Sequence, residues 1–244
     1  MTHYHSQYNT LQGQYTHGIE IAFLQNAFRY LPVNSLIIDI GGGGGRISQF
    51  LSLLQMRVAV VDITFPPLGY INYKFSSGRE YPVMISAGTN CELPFREGVF
   101  DAAVCIQVPD LVENGSSFFG MIYPYLKDDA LLVVTITNKY SYKHVLRILS
   151  GRNMTSSKRK GNSQTVVYQF PVNQIIKRAR DAGFSLLNCE GYNWIPFNKS
   201  SNARLIPHSI RIERQFGLYR FYSVSPWVIA SFKKIGLAPA SCRT

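Results

Sequence analysis

The sequence contains no apolar run long enough to cross a bilayer. Its longest uncharged apolar stretches, such as ALLVVTIT from Ala130, are far shorter than the ~20 residues that a transmembrane helix needs. A secretory signal would combine an early positive charge with an apolar segment, but the first basic residue is Arg29 and the leader MTHYHSQYNTLQGQYTHG is polar. The sequence therefore predicts a cytoplasmic protein without a membrane span.

Cysteine spacing typical of a metal site is also missing. The chain has four cysteines, without a CxxC pair and without a close Cys/His grouping: Cys91, Cys105, Cys189 and Cys242. His3 and His5 lie in one short segment, but no third ligand is apparent. We predict reduced thiols and no bound metal.

Acidic residues are scarce, and their shortage is confined to one half of the chain. The sequence has 14 Asp and Glu against 25 Lys and Arg, a net charge of +11. Residues 1–120 hold 6 basic and 9 acidic residues, a net charge of −3, whereas residues 121–244 hold 19 and 5, a net charge of +14. This asymmetry favours an anionic partner. Three kinds of partner fit: a phosphorylated metabolite, a membrane surface and nucleic acid. The alternative is a basic face that serves solubility alone.

Apolar runs of strand length alternate with helix-like segments along the chain. The runs predicted as buried parallel strands are LIIDI from Leu36, VAVVDI from Val58, PVMISA from Pro82, DAAVCI from Asp101 and LLVVTIT from Leu131. Two more strands are expected at FSLLNC from Phe184 and WVIASF from Trp227. The alternation predicts an α/β fold with a Rossmann-like, doubly wound sheet of seven strands.

Helices are predicted at residues 18–31, 46–54, 116–126 and 172–184. Pro171 suits the first position of the last of these helices, and Gly183 suits its C-terminal end. The polar, basic segment at 150–164 has no periodicity, so we predict a loop or lid there.

Five consecutive glycines, Gly41–Gly45, follow the first predicted strand, which carries a single carboxylate, Asp39. The dinucleotide pattern GxGxxG fails here because its sixth position is Arg46 or Ile47, and a phosphate-binding GxxxxGK[ST] fails because no Lys follows the glycines. The spacing Asp39-x-Gly41-x-Gly43-x-Gly45 resembles the first motif of class I S-adenosylmethionine-dependent methyltransferases.

Three further segments carry the same resemblance. Asp62 ends the second strand 21 residues after Gly41, where the family places a carboxylate. GTNCELPF, from Gly88, is similar to the family's segment beside the adenine, although Thr89 stands where an acidic residue is more usual. FDAAVCIQVPDLV, from Phe100, is similar to the fourth strand and the turn after it, and WVIASFKK resembles the closing antiparallel strand. The branch that matches best resembles the methyltransferases of ubiquinone and menaquinone biosynthesis.

The resemblance implies S-adenosylmethionine as cofactor and assigns residues to it. The bare glycine backbone would receive the amino-acid part of the cofactor, Asp62 the two ribose hydroxyls, and Ile63 with Ile106 the adenine. The other implied cofactor-binding residues are Gly41, Gly42, Gly43, Gly45, Thr89, Asn90, Cys91, Gln107 and Val108. Asp39 either receives the ammonium group or holds the glycine turn by backbone hydrogen bonds, and Asp62 could instead cap a helix.

In this reading the chain is a single methyltransferase domain, residues 1–244. Residues 1–34 form an N-terminal cap helix region, residues 35–137 the cofactor-binding core, and residues 138–244 a substrate-side insert with the closing strands. The sheet is expected to be mostly parallel, with an antiparallel last strand.

Two side chains are candidates for activating the acceptor. Asp110 follows the fourth strand and His144 follows the fifth, so both belong to turns at the cofactor edge of the sheet. His144 has a pKa suited to deprotonating a hydroxyl, with Asp110 orienting it; the alternative is a structural role, which is the more usual one for a lone His on a helix.

Several aromatic residues are candidates for walls of the site. Tyr4, Tyr8 and Tyr15 form either a flap across the cofactor, where tyrosine faces would favour a sulfonium cation, or ordinary surface packing. Trp194 and Phe197 either wall an acceptor pocket or belong to the core.

Local sequence argues against two nucleic-acid chemistries. The turn after strand four reads Ile106-Gln107-Val108-Pro109-Asp110, which does not resemble the Asn/Asp-Pro-Pro-aromatic turn of adenine methyltransferases. Carbon-5 methylation of pyrimidines needs a nucleophilic cysteine, but Cys105 lies inside a predicted strand.

We therefore predict methyl transfer, chiefly to oxygen, on a small acceptor that is anionic, lipid-linked, a saccharide or a secondary metabolite. YQFPVNQIIKRARDAGF followed by EGYNWIPF resembles methyltransferases of cell-envelope saccharides, and contact with an anionic membrane surface would suit the basic half. Arg204, Arg211 and Arg214 accompany a short amphipathic helix that Gly217 would end; this helix either meets an anionic partner or is a solvated face packed by Ile210 and Phe216. The alternatives are an RNA or DNA methyltransferase, supported by Lys158, Arg159 and Lys160, and a non-catalytic relative that binds the cofactor.

Overall fold

One mixed sheet organises the chain. The structure, a computed structural model, describes residues 7–62, 83–86, 93–108, 115–142, 146, 170–195, 197–198 and 200–235. Its strands are β1 (Leu36–Ile40), β2 (Arg57–Asp62), β3 (Val83–Ser86), β4 (Phe100–Cys105), β5 (Leu126–Thr137), β6 (Phe184–Tyr192) and β7 (Trp227–Lys234). They form a seven-stranded sheet in the order β3-β2-β1-β4-β5-β7-β6.

The strand order reverses direction at β1. Strand β1 pairs in parallel with β2 on one side and with β4 on the other, with Asp39 opposite both Val60 and Val104. Strand β7 runs antiparallel to both β5 and β6. In open α/β sheets, ligands bind at the carboxyl ends of the strands where the order reverses. The topology therefore directs attention to the turns after β1 and β4.

Helices cover both faces of the sheet. Helices α1 (Leu11–Phe28) and α2 (Arg46–Leu53) pack on one face, where Phe23, Leu24 and Leu51 are buried. Helices α3 (Gly115–Ile122) and α4 (Val172–Asp181) pack on the other, where Phe119 and Ile175 are buried. Helix α5 (Ile206–Gln215) lies between β6 and β7 in the chain. The α/β class, the mixed sheet and the antiparallel last strand expected from the sequence are confirmed.

Several helix boundaries differ from the prediction; the helix predicted at 116–126, for example, ends at Ile122. Helix α1 begins at Leu11 rather than at Gly18, and the Thr10 hydroxyl caps it by accepting a hydrogen bond from the Gly13 N–H at 3.1 Å. Pro171 is the N-cap of α4 rather than its first helical residue, because its ψ of 136° is extended. Gly183 ends that helix as expected, with φ at +90°. The predicted loop or lid at 150–164 lies outside the described residues.

The described residues contain neither a membrane-spanning helix nor a metal-binding cluster. No helix there is both long and apolar enough to cross a membrane. No group of three or more His, Cys, Asp or Glu side chains in the same part of the chain is placed to hold a metal ion.

Candidate functional site

The five glycines form the turn between β1 and α2, and the backbone geometry explains why side chains are excluded. Gly41, Gly43 and Gly45 have φ values of +71°, +51° and +73°, which L-residues adopt only at a cost. A Cβ atom on Gly41 would lie 2.2 Å from Val108 Cγ2, and one on Gly42 would lie 2.4 Å from Val60 Cγ1. The turn therefore packs directly against β2 and the segment after β4.

A pocket opens at this turn. It encloses roughly 430 Å³, part of which is open solvent. The site residues predicted from the sequence that line it are Asp39, Gly41, Gly42, Gly43, Ile106 and Gln107. Tyr8, Gly44, Arg46 and Ile47 line it as well. The turns after β1 and β4 thus meet around one cavity at the carboxyl edge of the sheet.

Asp62 and Asp39 have different roles in holding the turn. The Gly43 N–H donates a hydrogen bond to Asp62 Oδ2 at 2.9 Å, so the carboxylate at the end of β2 fixes the turn. Asp39 is buried and accepts a hydrogen bond from the Ser48 hydroxyl of α2 at 2.5 Å. Asp39 was expected either to bind the cofactor's ammonium group or to hold the turn backbone. Its hydrogen bonds come from the hydroxyl and the backbone N–H of Ser48, the third residue of α2, and the ammonium role stays a prediction.

Burial changes the titration of Asp39. Removal from water raises the pKa of this carboxyl to about 6, and the nearby charge of Asp62 acts in the same direction. The Ser48 hydrogen bond and the positive charge of Arg46 oppose the shift. Near neutral pH the carboxyl is still mainly ionised, so it can attract a cationic group in the pocket.

Arg46, the first residue of α2, brings a buried cation to the pocket. Its Nη2 lies 2.7 Å from Glu20 Oε2, and the Glu20 side chain is fully buried. Glu20 Oε1 also accepts a hydrogen bond from Gln107 Nε2 at 2.6 Å. A cation at a helix N-terminus is disfavoured by the helix dipole, so the Glu20 carboxylate compensates for an otherwise unfavourable position.

Tyr8 covers Arg46. The Arg46 guanidinium lies 4.4 Å from the centre of the Tyr8 ring, and the Tyr8 hydroxyl donates to Gln107 Oε1 at 2.9 Å. His17 Nδ1 lies 2.5 Å from Arg46 Nη1. Burial, together with Arg46, lowers the pKa of His17 to about 4, so the ring is neutral near pH 7 and accepts this hydrogen bond.

Of the three tyrosines considered for an N-terminal flap, only Tyr8 is described at the pocket. Tyr15 is buried away from it, and its hydroxyl donates to the Glu213 carboxylate of α5. Tyr4 lies outside the described residues. The flap interpretation therefore fits Tyr8 and is wrong for Tyr15.

Trp194 and Phe197, the aromatic residues considered for an acceptor pocket, lie in different surroundings. Trp194 stacks on Tyr142 with ring centres 5.6 Å apart, and its buried Nε1 has no hydrogen-bond partner among the described residues. Phe197 is half-buried and does not line the pocket at the glycine turn.

Six predicted site residues lie outside the described residues: Ile63, Thr89, Asn90, Cys91, Asp110 and His144. Of the remaining predicted residues, Gly45 precedes α2 as its N-cap, and Val108 packs against Gly41. Cys105 is buried in β4, where burial raises the pKa of its thiol, so it is not poised as a nucleophile.

The sequence interpretation missed Glu20 and Arg46. A basic residue in the first turn of a helix opposes the helix dipole, and this was the available signal for Arg46. Glu20 has no comparable signal, because a lone carboxylate in a helix normally faces solvent.

Comparison with known proteins supports one reading of this site. Residues 38–134 match the family described as Methyltransferase domain. The chain is 20% identical to a ubiquinone biosynthesis O-methyltransferase of Burkholderia pseudomallei over 177 residues, which is 71% of this chain and 74% of that protein.

Solved structures share the fold. A magnesium protoporphyrin IX methyltransferase of Synechocystis with bound S-adenosylhomocysteine superposes with a TM-score of 0.58 at 19% identity, over 91% of this chain and 83% of that one. A phosphoethanolamine N-methyltransferase of Haemonchus contortus, in complex with phosphomonomethylethanolamine and S-adenosylhomocysteine, superposes with a TM-score of 0.60 at 16% identity, over 90% of this chain and 53% of that one.

Proposed function

We propose that this S-adenosylmethionine-dependent methyltransferase, whose methyltransferase domain includes residues 38–134, transfers a methyl group to a hydroxyl oxygen of a small-molecule acceptor. The observation that carries the proposal is the pocket at the glycine turn. Its lining combines glycine backbone, the buried Asp39 carboxylate and apolar Ile47 and Ile106 with the side chains of Tyr8, Arg46 and Gln107. S-adenosylmethionine has no phosphate, so it requires neither a Lys after the glycines nor a nest of phosphate-binding amides.

The residues of the pocket suit the parts of this cofactor. We assign the amino-acid part to the turn at Gly41–Gly45, with its ammonium group towards Asp39, since an ionised carboxylate is available there. Asp62 follows β2 beside the turn, within reach of a ribose, and Ile106 supplies an apolar surface for adenine. Ile63, Thr89, Asn90, Cys91 and Val108 complete the assignment on the grounds of sequence alone.

Methyl transfer from a sulfonium is an in-line displacement, so orientation and exclusion of water supply much of the acceleration. When bound, the cofactor supplies the electrophilic methyl group. The ring of Tyr8 and the ion pair of Arg46 with Glu20 close one side of the pocket and limit the entry of water there. For the acceptor we propose His144 as the base that removes the hydroxyl proton, with Asp110 orienting it.

An oxygen acceptor is supported by the relatives named ubiquinone biosynthesis O-methyltransferase, at about one-fifth identity. An anionic acceptor, such as a phosphorylated saccharide or a phosphorylated lipid-linked intermediate, is supported by the charge of the chain, because residues 121–244 carry 19 basic and 5 acidic residues. The two arguments are independent, since one concerns the methylated atom and the other the charge of the acceptor.

The test is an acceptor screen with methyl-labelled cofactor. The panel contains phenols, neutral saccharides and phosphorylated saccharides, with transfer RNA and duplex DNA as separate arms. We expect label in a small hydroxylated compound and a rate that falls in the His144→Ala variant, with Lys139→Ala as the matched control. Transfer to nucleic acid alone would replace the proposal with the nucleic-acid function that the basic half also favours. Binding of cofactor without transfer to any arm would indicate a non-catalytic relative.

A further inference from the structure

Several large apolar side chains on and beside helix α5 are exposed to solvent, although Ile206 is buried. The buried residues of the helix are Ile206, Ser209 and Glu213. Leu205 and Phe216 are each 67% exposed, and Ile212 is 45% exposed. The spacing of these three residues, i, i+7 and i+11, places them on one side of the helix. Protein surfaces rarely align large apolar side chains in this way without a partner.

The inward face of α5 is held by polar contacts, which explains how the apolar side can remain outward. The Glu213 carboxylate accepts hydrogen bonds from the Tyr15 hydroxyl of α1 and from the Ile195 N–H, the latter at 3.3 Å. The Ser209 hydroxyl donates to the Ile206 carbonyl at 2.7 Å. Rotating the helix to bury Phe216 would break the contacts of Glu213 with Tyr15 and Ile195 and would expose Ile206, so the orientation is fixed.

The exposed charge around this apolar side has a single sign. Residues 200–224 contain one carboxylate, Glu213, which is buried. Arg204, Arg211, Arg214 and Arg220 are exposed, and within the described part of the chain none of them forms an ion pair. Exposed Tyr219, Phe221 and Val224 follow the helix. We call residues 204–224 the α5 face.

The α5 face lies beside the edge of the sheet that carries the pocket. Strand β6 is antiparallel to β7, which is antiparallel to β5, so β6 and β5 end at the same edge. Ile195, three residues beyond β6, contacts Glu213 of α5. A partner bound to the α5 face is therefore close to the carboxyl ends of the strands.

We propose that the α5 face docks on an anionic lipid bilayer. Basic helices with exposed Leu, Ile and Phe bind the interface of such membranes by inserting apolar side chains while Lys or Arg contacts lipid phosphates. Aliphatic Leu205 and Ile212 would gain little from nucleic acid, where stacking and phosphate contacts carry the binding. A second copy of the chain would bring four more arginines against the same face, and the like charges would repel.

Vesicle flotation tests the proposal without cofactor or acceptor, so its failure leaves the methyltransferase function untouched. The full chain is mixed with phosphatidylcholine vesicles that contain or lack phosphatidylglycerol. We expect flotation with the phosphatidylglycerol vesicles at low salt and little with phosphatidylcholine alone. The pair Arg211→Gln/Arg214→Gln should weaken partitioning by roughly fivefold per arginine, and Ile212→Ser/Phe216→Ser by at least as much.

The matched control is Arg29→Gln/Tyr30→Ser, which removes one cation and one aromatic ring that is 82% exposed, just before β1. We expect its partitioning to equal that of the wild type, and all variants to keep the wild-type melting temperature and cofactor affinity. The proposal is overturned if the wild type fails to float with anionic vesicles or if the control loses as much partitioning as the α5 variants. It is equally overturned if an oligonucleotide or a second copy of the chain, but no vesicle, binds the face in a Phe216-dependent way.

Discussion

The Arg46 guanidinium and the Glu20 carboxylate form an ion pair, with 2.7 Å between Nη2 and Oε2, beneath the pocket at the glycine turn. The pair joins α1 to the first residue of α2, and through Gln107 it reaches the segment after β4. One carboxylate in the N-terminal helix therefore connects three elements that surround the candidate cofactor site.

Glu20→Gln is expected to destabilise the protein by about 3–5 kcal/mol, because it leaves the buried Arg46 charge without a counter-charge. Urea unfolding measures the change. The double variant Glu20→Gln/Arg46→Met should recover part of the loss. The exposed pair of Lys177 with Asp181 supplies the control, since Asp181→Asn should change stability by less than about 0.5 kcal/mol. Equal effects at the two sites would contradict a structural role for the buried pair.

Gly41→Ala should cost about 2–4 kcal/mol of stability and should also weaken cofactor binding. The substitution combines a positive φ of +71° with a Cβ 2.2 Å from Val108 Cγ2. Gly98→Ala is the matched control, because Gly98 has a φ of +63° but open space around the added Cβ. It should cost about 1 kcal/mol and leave binding unchanged. A Gly41→Ala protein as stable as Gly98→Ala would show that the turn does not pack as described.

Asp39→Asn should stabilise the cofactor-free protein at pH 7. The carboxyl has a pKa of about 6 in the folded chain, against an ordinary value of 3.8, so it holds its proton more tightly when folded. Below about pH 4 the raised pKa therefore does not lower the free energy of unfolding. As the pH rises from 4 to 6 the free energy of unfolding falls, by about 3 kcal/mol in all. Urea unfolding of wild type and variant at pH 4.5 and pH 7 checks this. A stability difference that does not grow with pH would contradict the assignment.

Tyr8→Ala should increase the dissociation rate of S-adenosylhomocysteine about tenfold, because the ring covers Arg46 and lines the pocket. Tyr8→Phe keeps the ring and loses only the hydrogen bond to Gln107, so its effect should be about fivefold or less. Stopped-flow displacement measures both rates. Tyr30→Ala, at an exposed position near the end of α1, serves as the control and should match the wild type.

The strands were predictable because burial on both faces of a parallel sheet requires apolar runs, as in β1, β2 and β5. The start of α1 could not be predicted from the sequence. Gln12, Thr16 and Glu20 are buried on its inner face and are satisfied by hydrogen bonds or by charge, so the polar pattern resembles a solvated segment. Polar side chains that pair across long sequence separations, such as Gln12 with Asn193 at 2.5 Å, leave no local signal.

The glycine turn was predictable for the opposite reason. Backbone that must adopt positive φ and approach a neighbouring strand requires glycine. The run of glycines in the sequence therefore indicates the turn directly. The exposure of Phe216 could not be predicted from the sequence. One of the two alternatives for this helix had Phe216 packing it onto the protein, but Phe216 is 67% exposed because Ile206, Ser209 and Glu213 occupy the inner face.

The most direct test of the cofactor assignment is calorimetric titration with S-adenosylmethionine and S-adenosylhomocysteine, comparing wild type, Asp62→Ala and the surface control Asp181→Ala. We expect the wild type and the control to bind both ligands alike. Asp62→Ala should lose at least tenfold in affinity, because it removes the proposed ribose contact together with the support of the Gly43 N–H. Wild-type binding that Asp62→Ala leaves unchanged, or no binding of either ligand to the wild type, would contradict the account.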